Sequence, residues 1–127
     1  MKFRGIFLNS LLFLLLIVAC IFLYYNLSSP LAMYPNDAKK ALKEGRFDHV
    51  VDVRTDMEWN AGHYPLAIHI PLKDVSEILP KRIPDTKSRI LFYCNTTTRA
   101  RMAAETAQMG GYKNVRYLVG IHTNLLD

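Results

Sequence analysis

The sequence predicts an α/β fold: a small, mainly parallel sheet with helices on both faces, preceded by one transmembrane helix. Three observations carry this. Residues 6–25 contain no charge, with only Asn9 and Ser10 as interior polar breaks. Past Pro30, short β-branched runs alternate with stretches of helical period, joined by brief Gly, Pro and Asn turns. One run, Ile90-Leu91-Phe92-Tyr93, is apolar throughout and short, as expected of a strand covered on both faces.

Twenty nearly apolar residues at about 1.5 Å each reach roughly the 30 Å hydrocarbon thickness of a bilayer. Lys2 and Arg4 precede the run, and no basic residue follows until Lys39. That asymmetry predicts a cytoplasmic N-terminus, an uncleaved signal-anchor, and residue 31 onward on the far side. Tyr24, Tyr25 and Asn26 suit the exit interface, and Asn26-Leu27-Ser28-Ser29-Pro30 reads as a tether. A secretory signal would have a shorter apolar centre and an A-x-A site, which is not evident here. Ile17-Val18-Ala19-Cys20 also resembles a bacterial lipobox. The hydrophobic run continues through Ile21-Phe22-Leu23-Tyr24-Tyr25, which favours the anchor over lipidation at Cys20 or cleavage. Each fate puts the remainder outside the cytoplasm, in a periplasm or on an outer face.

The expected division is therefore 1–30, anchor and tether, and 31–127, one small α/β domain. The latter holds 14 Lys and Arg against 11 Asp and Glu, leaving +3. With no basic block longer than two, nucleic acid is not an expected partner. Asn36 or Asp37 is expected to cap a helix through Lys43, closed by Gly45. His49–Val53 is a strand, and Thr55 with Glu58 forms a capping-box pattern for a short helix. Gly62-His63-Tyr64-Pro65 is a turn, and Ala67-Ile68-His69-Ile70 a strand ended by Pro71. Leu72–Leu79 reads as a helix burying Leu72, Val75, Ile78 and Leu79, stopped by Pro80. Ile83–Ser88 is a loop and Ile90–Tyr93 the buried strand. Arg99–Met109 is a helix with Ala100, Ala103, Ala104 and Ala107 on one face, ended by Gly110-Gly111. Val115–Val119 is the last strand.

Cys94 stands between that buried strand and that Ala-rich helix, at a strand carboxyl end, where open α/β sheets place ligands. Cys94-Asn95-Thr96-Thr97-Thr98-Arg99 can turn successive N–H groups inward, and the following helix adds its positive end. Such a loop holds an anion, and thiolate is one. Arg99 adds a permanent charge that can hold a second anion, such as a sulfonate or thiosulfate oxygen. In an exported domain Cys94 has no cysteine to pair with, since Cys20 stays at the membrane. The bland alternative is an inert cysteine filling a strand end, against which the hydroxyl-rich loop and Arg99 count.

From about Asp37 to Gly120 the chain resembles a single-domain rhodanese, a thiosulfate or persulfide sulfurtransferase. Asp52-Val53-Arg54 with Glu58 resembles the signature D-x-R followed by an acidic residue. Gly62 to Pro71 resembles G-H-I-P-G-A-x-x-I-P. Tyr93 to Ala100 occupies the active-site loop, and Gly110-Gly111-Tyr112-Lys113-Asn114-Val115 matches G-[FY]-x-x-V. The resemblance implies that Cys94 takes a sulfane sulfur as a persulfide and passes it on, with Asn95, Thr96, Thr97, Thr98 and Arg99 as the substrate-binding cradle. Its spacing is C-x4-R, whereas the related phosphatase and arsenate-reductase cradle is C-x5-R. The implied donor is thiosulfate or a persulfide. The implied acceptor is a thiol, cyanide or a protein, and no cofactor is implied.

Four departures mark this chain. Thr97 stands where the family often has Gly and is strained if φ is positive. Asn95 replaces a common basic residue, which leaves less positive charge for thiosulfate. Leu66 replaces a Gly of the second segment. Val119-Gly120-Ile121-His122 lacks the usual Gly-Gly pair and closing Trp, so a terminal helix is short or absent. Asp52, Arg54 and His63 are read as structural support rather than acid/base groups, the first two as a partly buried ion pair. The four histidines show no ligand spacing, so no metal is expected. A catalytically weak binding or persulfide-carrier module at the membrane is the alternative to a turning-over enzyme.

Overall fold

The computed structural model describes residues 2–27 and 29–126, apart from the side chains of Tyr25 and Asn26. The interfacial role expected of those two side chains, and Ser28 of the expected tether, lie outside the described residues. By contact the chain divides into two compact units, Met1–Pro30 and Leu31–Asp127. In the first, α1 runs Lys2–Leu27, long and apolar enough to cross a membrane. The helix thus takes in Asn26 and Leu27, which the sequence assigned to the tether. The Ser10 hydroxyl donates to the Ile6 carbonyl at 2.9 Å, so this polar break is satisfied within the helix.

The second unit is built on a five-stranded parallel sheet, β1 (Ala32–Met33), β2 (His49–Asp52), β3 (Ala67–His69), β4 (Arg89–Tyr93) and β5 (Asn114–Leu118), in the order β1-β5-β4-β2-β3. β4 is central, with Val51 of β2 opposite Phe92 and Tyr117 of β5 on its other side. Because strand side chains alternate, the sheet has two apolar faces. Val51, Ile90, Phe92, Val115 and Tyr117 join one core with α4 (Val75–Arg82) and α5 (Thr98–Met109). Val50, Leu91, Tyr93 and Leu118 form the other, with Ala38 of α2 (Pro35–Lys43) and Leu125. Helices cover both faces, as the unbroken apolar run at 90–93 requires.

Several elements differ in detail from the sequence reading. β1 was not foreseen, since two half-buried residues carry no periodicity. It is recruited by β5 and the residue after it: the Tyr117 and Val119 N–H groups donate to the Leu31 and Met33 carbonyls. α2 opens at Pro35 after Tyr34, with no side-chain cap from Asn36 or Asp37. Pro35 supplies a fixed φ and needs no donor partner there. Gly45, at φ 67°, closes that helix. Residues 72–79 are not one helix: a 3-10 turn, Leu72–Asp74, leads into α4, which continues through Pro80 to Arg82. Val75 and Leu79 are buried, but Leu72 and Ile78 only half-buried. Pro80 does not end α4, because the one intrahelical donor it removes leaves only the carbonyl of exposed Ser76 without that partner.

α5 ends as expected. Tyr112 and Gly111 N–H groups donate to the Ala107 and Gln108 carbonyls, with Gly111 at φ 94°. Its four alanines are buried, which brings its axis close to the sheet and its first turn against the end of β4. Among the described residues, the chain after β5 makes one 3-10 turn, His122–Leu125.

Candidate active site

β4 ends at Tyr93, whose carbonyl accepts from the Val53 N–H at 3.1 Å, and the next residue is Cys94. Two backbone donors converge on its sulfur, the Thr96 N–H at 3.2 Å and the Ala100 N–H at 3.3 Å. Ala100 lies in the first turn of α5, where a backbone N–H has no partner inside the helix. The sulfur fills that role. The Thr96 hydroxyl oxygen lies 3.8 Å from it, and Cys94 is fully buried. Both donors present their hydrogens to the sulfur as an acceptor.

Thr97 sits at φ 50° and ψ −48°, and the Thr98 N–H donates back to the Thr96 carbonyl. That is a γ-turn with positive φ, a strained geometry for any residue with a Cβ. The strain anticipated from the sequence is present. The Thr97 hydroxyl, rather than facing the sulfur, accepts from the Gly120 N–H at 2.9 Å and so pins the loop to the chain after β5. Thr96 and Thr98 are exposed.

Asn95 and Arg99 both turn to Glu58. Arg99 donates through its two terminal nitrogens to the Glu58 carboxylate, at 2.7 and 2.9 Å. The Asn95 amide nitrogen donates to the same carboxylate at 2.7 Å. Glu58 is offered by α3 (Asp56–Asn60), whose capping box with Thr55 is formed as predicted. The Arg99 guanidinium beside Glu58 holds its carboxyl far below the usual carboxylate range, against the opposing effect of burial. Arg99's charge is therefore met by Glu58, not left open above the sulfur.

With its nitrogen given to Glu58, Asn95 presents its carbonyl oxygen to His122 Nδ1, which donates at 2.8 Å. His122 thus carries its proton on Nδ1. Burial, and then the Arg54 guanidinium 3.4 Å away, lower its pKa and keep the ring neutral. Sequence reading weighed His122 only as a metal ligand and missed this contact across 27 positions. Tyr93 was missed likewise: its hydroxyl accepts from the Tyr64 N–H at 3.0 Å, tying the turn at 62–65 to the central strand.

Asp52, Arg54 and His63, read from the sequence as structural support, each have close partners. Arg54 and Asp52 are almost wholly buried and paired through Nε and a terminal nitrogen, at 2.7 to 3.1 Å. The same terminal nitrogen donates to the Gly62 carbonyl at 2.6 Å, and the guanidinium lies 5.7 Å from the Tyr93 ring centre. His63 donates from Nδ1 to the Trp59 carbonyl at 3.0 Å and stacks on the Trp59 ring. His69, through Nε2, donates to the Arg54 carbonyl at 2.8 Å. Among the described residues no cluster of His, Cys, Asp or Glu has the grouping of a metal site.

This geometry has known counterparts. The model of the rhodanese-like domain matches residues 34–120. The thiosulfate sulfurtransferase PspE of Escherichia coli K12 is 32% identical over 74 residues, spanning 58% of this chain and 71% of that protein. The tRNA uridine(34) hydroxylase of Sodalis glossinidius is also 32% identical over 74 residues, but those are only 21% of its length. Among solved structures, a human single-domain sulfurtransferase superposes with a TM-score of 0.68 at 24% identity, covering 77% of this chain and 96% of that one. A rhodanese with anions from E. coli gives 0.57 at 31% identity, covering 61% and 91%. On these matches, and with the cysteine loop at the end of the central strand, the chain belongs to the rhodanese-like domain family.

Proposed function

We propose that this protein is a rhodanese-type sulfurtransferase, tethered to a membrane through residues 6–25 with its α/β domain on the extracytoplasmic face. The observation that carries the reading is the pair of backbone N–H groups, from Thr96 and Ala100, aimed at Cys94 Sγ. The Cys94 thiolate attacks the outer sulfur of thiosulfate or a persulfide. A new S–S bond forms as the old one breaks, and sulfite or a thiolate leaves with the electron pair. The same N–H donors then hold the terminal sulfur of the Cys94 persulfide. An acceptor nucleophile, a thiol, cyanide or a protein sulfhydryl, takes that sulfur and restores the thiolate. Asn95, Thr96, Thr97, Thr98 and Arg99 shape the cradle, the first and last through Glu58. Asp52, Arg54 and His63 hold the surrounding loops. The basic residues before α1 and their absence after it favour the outward orientation.

A second reading, a persulfide carrier that turns over small acceptors slowly, draws on one observation: Cys94 is fully buried, so the loop must open before a donor arrives. Steady-state assay with thiosulfate and cyanide separates the two. The enzyme reading expects thiocyanate with parallel-line, ping-pong kinetics that Cys94→Ser abolishes. The carrier reading expects one sulfur per chain and little thiocyanate. Unchanged turnover in Cys94→Ser would exclude both.

A further inference from the structure

Asn95 is tied at both ends of its amide. Glu58, a carboxylate that only accepts, takes the amide nitrogen at 2.7 Å, which leaves the carbonyl oxygen facing the chain after β5. His122 meets that oxygen at 2.8 Å and must do so with a hydrogen on Nδ1. The same segment ties the loop a second time, through the Gly120 N–H on the Thr97 hydroxyl. Asn95 directly follows Cys94, and the peptide joining it to Thr96 carries one of the two N–H groups on the sulfur. We propose that His122 is a positioning residue for sulfur transfer: its Nδ1–H holds Asn95, and through Asn95 aims the Thr96 N–H at Cys94 Sγ. The inference rests on the sulfurtransferase reading and adds to it a residue that acts through Asn95 rather than on the sulfur.

The residue type at 95 supports this. An amide offers a donor to Glu58 and an acceptor to His122 at once. A lysine or arginine there would serve Glu58 but give His122 no acceptor, and an aspartate would repel Glu58.

The imidazole is enclosed from several elements. Arg54 Nη1 lies 3.4 Å from Nδ1, and the Tyr93 ring is 6.4 Å away, centre to centre. Arg54 brings positive charge to the ring, and Asp52 and Glu58 negative charge. Burial first, and then Arg54, outweigh the two carboxylates and hold the tied ring below the ordinary histidine value of about 6.5. A ring released to solvent returns to that value, so protonation favours release. The tie is therefore complete above the ordinary histidine range and weakens as pH falls beneath it. Glu58 stays ionised throughout, so the other end of Asn95 does not titrate with it.

The test uses the full chain in detergent and reads sulfur gained by the Cys94 peptide from thiosulfate, by mass against time. His122→Leu, which has no donor, is expected to load about three- to tenfold more slowly at about pH 7.5, the effect of one lost hydrogen bond. His122→Asn puts an amide nitrogen where Nδ1 stands, one bond beyond Cγ, and is expected to restore the rate to within about twofold. In an Asn95→Ala background His122→Leu adds nothing, because both remove the same tie. The pH profile separates positioning from support of the fold. Between about pH 8 and about pH 5, the rate of the unaltered chain relative to His122→Asn is expected to fall about three- to tenfold, since only the histidine titrates. Ionisation of Cys94 is common to both proteins and cancels in the ratio. An equal or faster rate in His122→Leu, no rescue by asparagine, additive losses with Asn95→Ala, or a ratio indifferent to pH overturns the inference while leaving sulfur transfer intact. No loading of the unaltered chain overturns the sulfurtransferase reading itself, and the inference with it.

Discussion

Thr97 sets two effects against each other within one side chain. Its positive φ costs about 1–3 kcal/mol, while its hydroxyl holds the Gly120 N–H in a bond worth about 0.5–1.5 kcal/mol. Strain is the larger, so Thr97→Gly is expected to stabilise the fold by about 1 kcal/mol, and Thr97→Ala, which keeps the strain and loses the bond, to destabilise it by about as much. Denaturant midpoints of the two variants check this, and a Gly variant weaker than the Ala variant would contradict it. The place of Cys94 was legible in the sequence because a short apolar run followed by hydroxyls and a small-residue helix specifies a strand, a turn and a close-packed helix. The strain at Thr97 was legible because a β-branched residue stood at a position that often needs Gly. The direction of the Asn95 and Arg99 side chains was not, since it depends on Glu58 and His122, which lie 37 and 27 residues from Asn95.

The latch between α3 and the loop consists of Glu58 with Arg99 and Asn95. Glu58's carboxyl is held below its unfolded value chiefly by Arg99, so the folded protein binds fewer protons there than the unfolded chain. Its contribution is therefore complete above the ordinary carboxylate range, about pH 4.3, and is lost as pH falls beneath it. Glu58→Gln is expected to lower stability at pH 7 by about 1–3 kcal/mol, as for a hydrogen bond to a charged group, and to flatten the acid limb of the stability profile. Equal acid sensitivity in both proteins would show that the latch is not what titrates. In α5 the buried alanines set the distance to the sheet. Ala103→Leu adds volume where none is spare and is expected to cost about 1–3 kcal/mol by thermal or denaturant unfolding. That packing was legible from the four-alanine face. β1 was not, because its two residues pair only once β5 offers an edge, and neither was the passage of α4 through Pro80, which needs an exposed carbonyl upstream.

Across the whole molecule, the buried Asp52–Arg54 pair joins the end of β2 to the turn at Gly62 and, through the Tyr93 ring, to the central strand. Asp52→Ala leaves a guanidinium buried without its counter-charge and is expected to destabilise the domain by about 3–5 kcal/mol, with loss of the cooperative transition at moderate temperature. A variant as stable as the parent would mean the pair is solvated in solution. The parallel sheet and its two covers were legible as a whole, because strand–helix alternation leaves few other ways to bury both faces of β4. The cleft beside Arg99 was not, since its walls come from three segments separated in the chain, residues 53–56, residues 71–73 and Arg99. All of the functional account depends on the two N–H groups, from Thr96 and Ala100, that converge on the Cys94 sulfur. The direct measurement is the mass of the Cys94 peptide after brief exposure to thiosulfate or an organic persulfide, read beside Cys20 in the same digest. The account predicts one added sulfur atom on Cys94, removed by cyanide and absent from Cys20. A Cys94 peptide of unchanged mass, in protein that is folded, would contradict it.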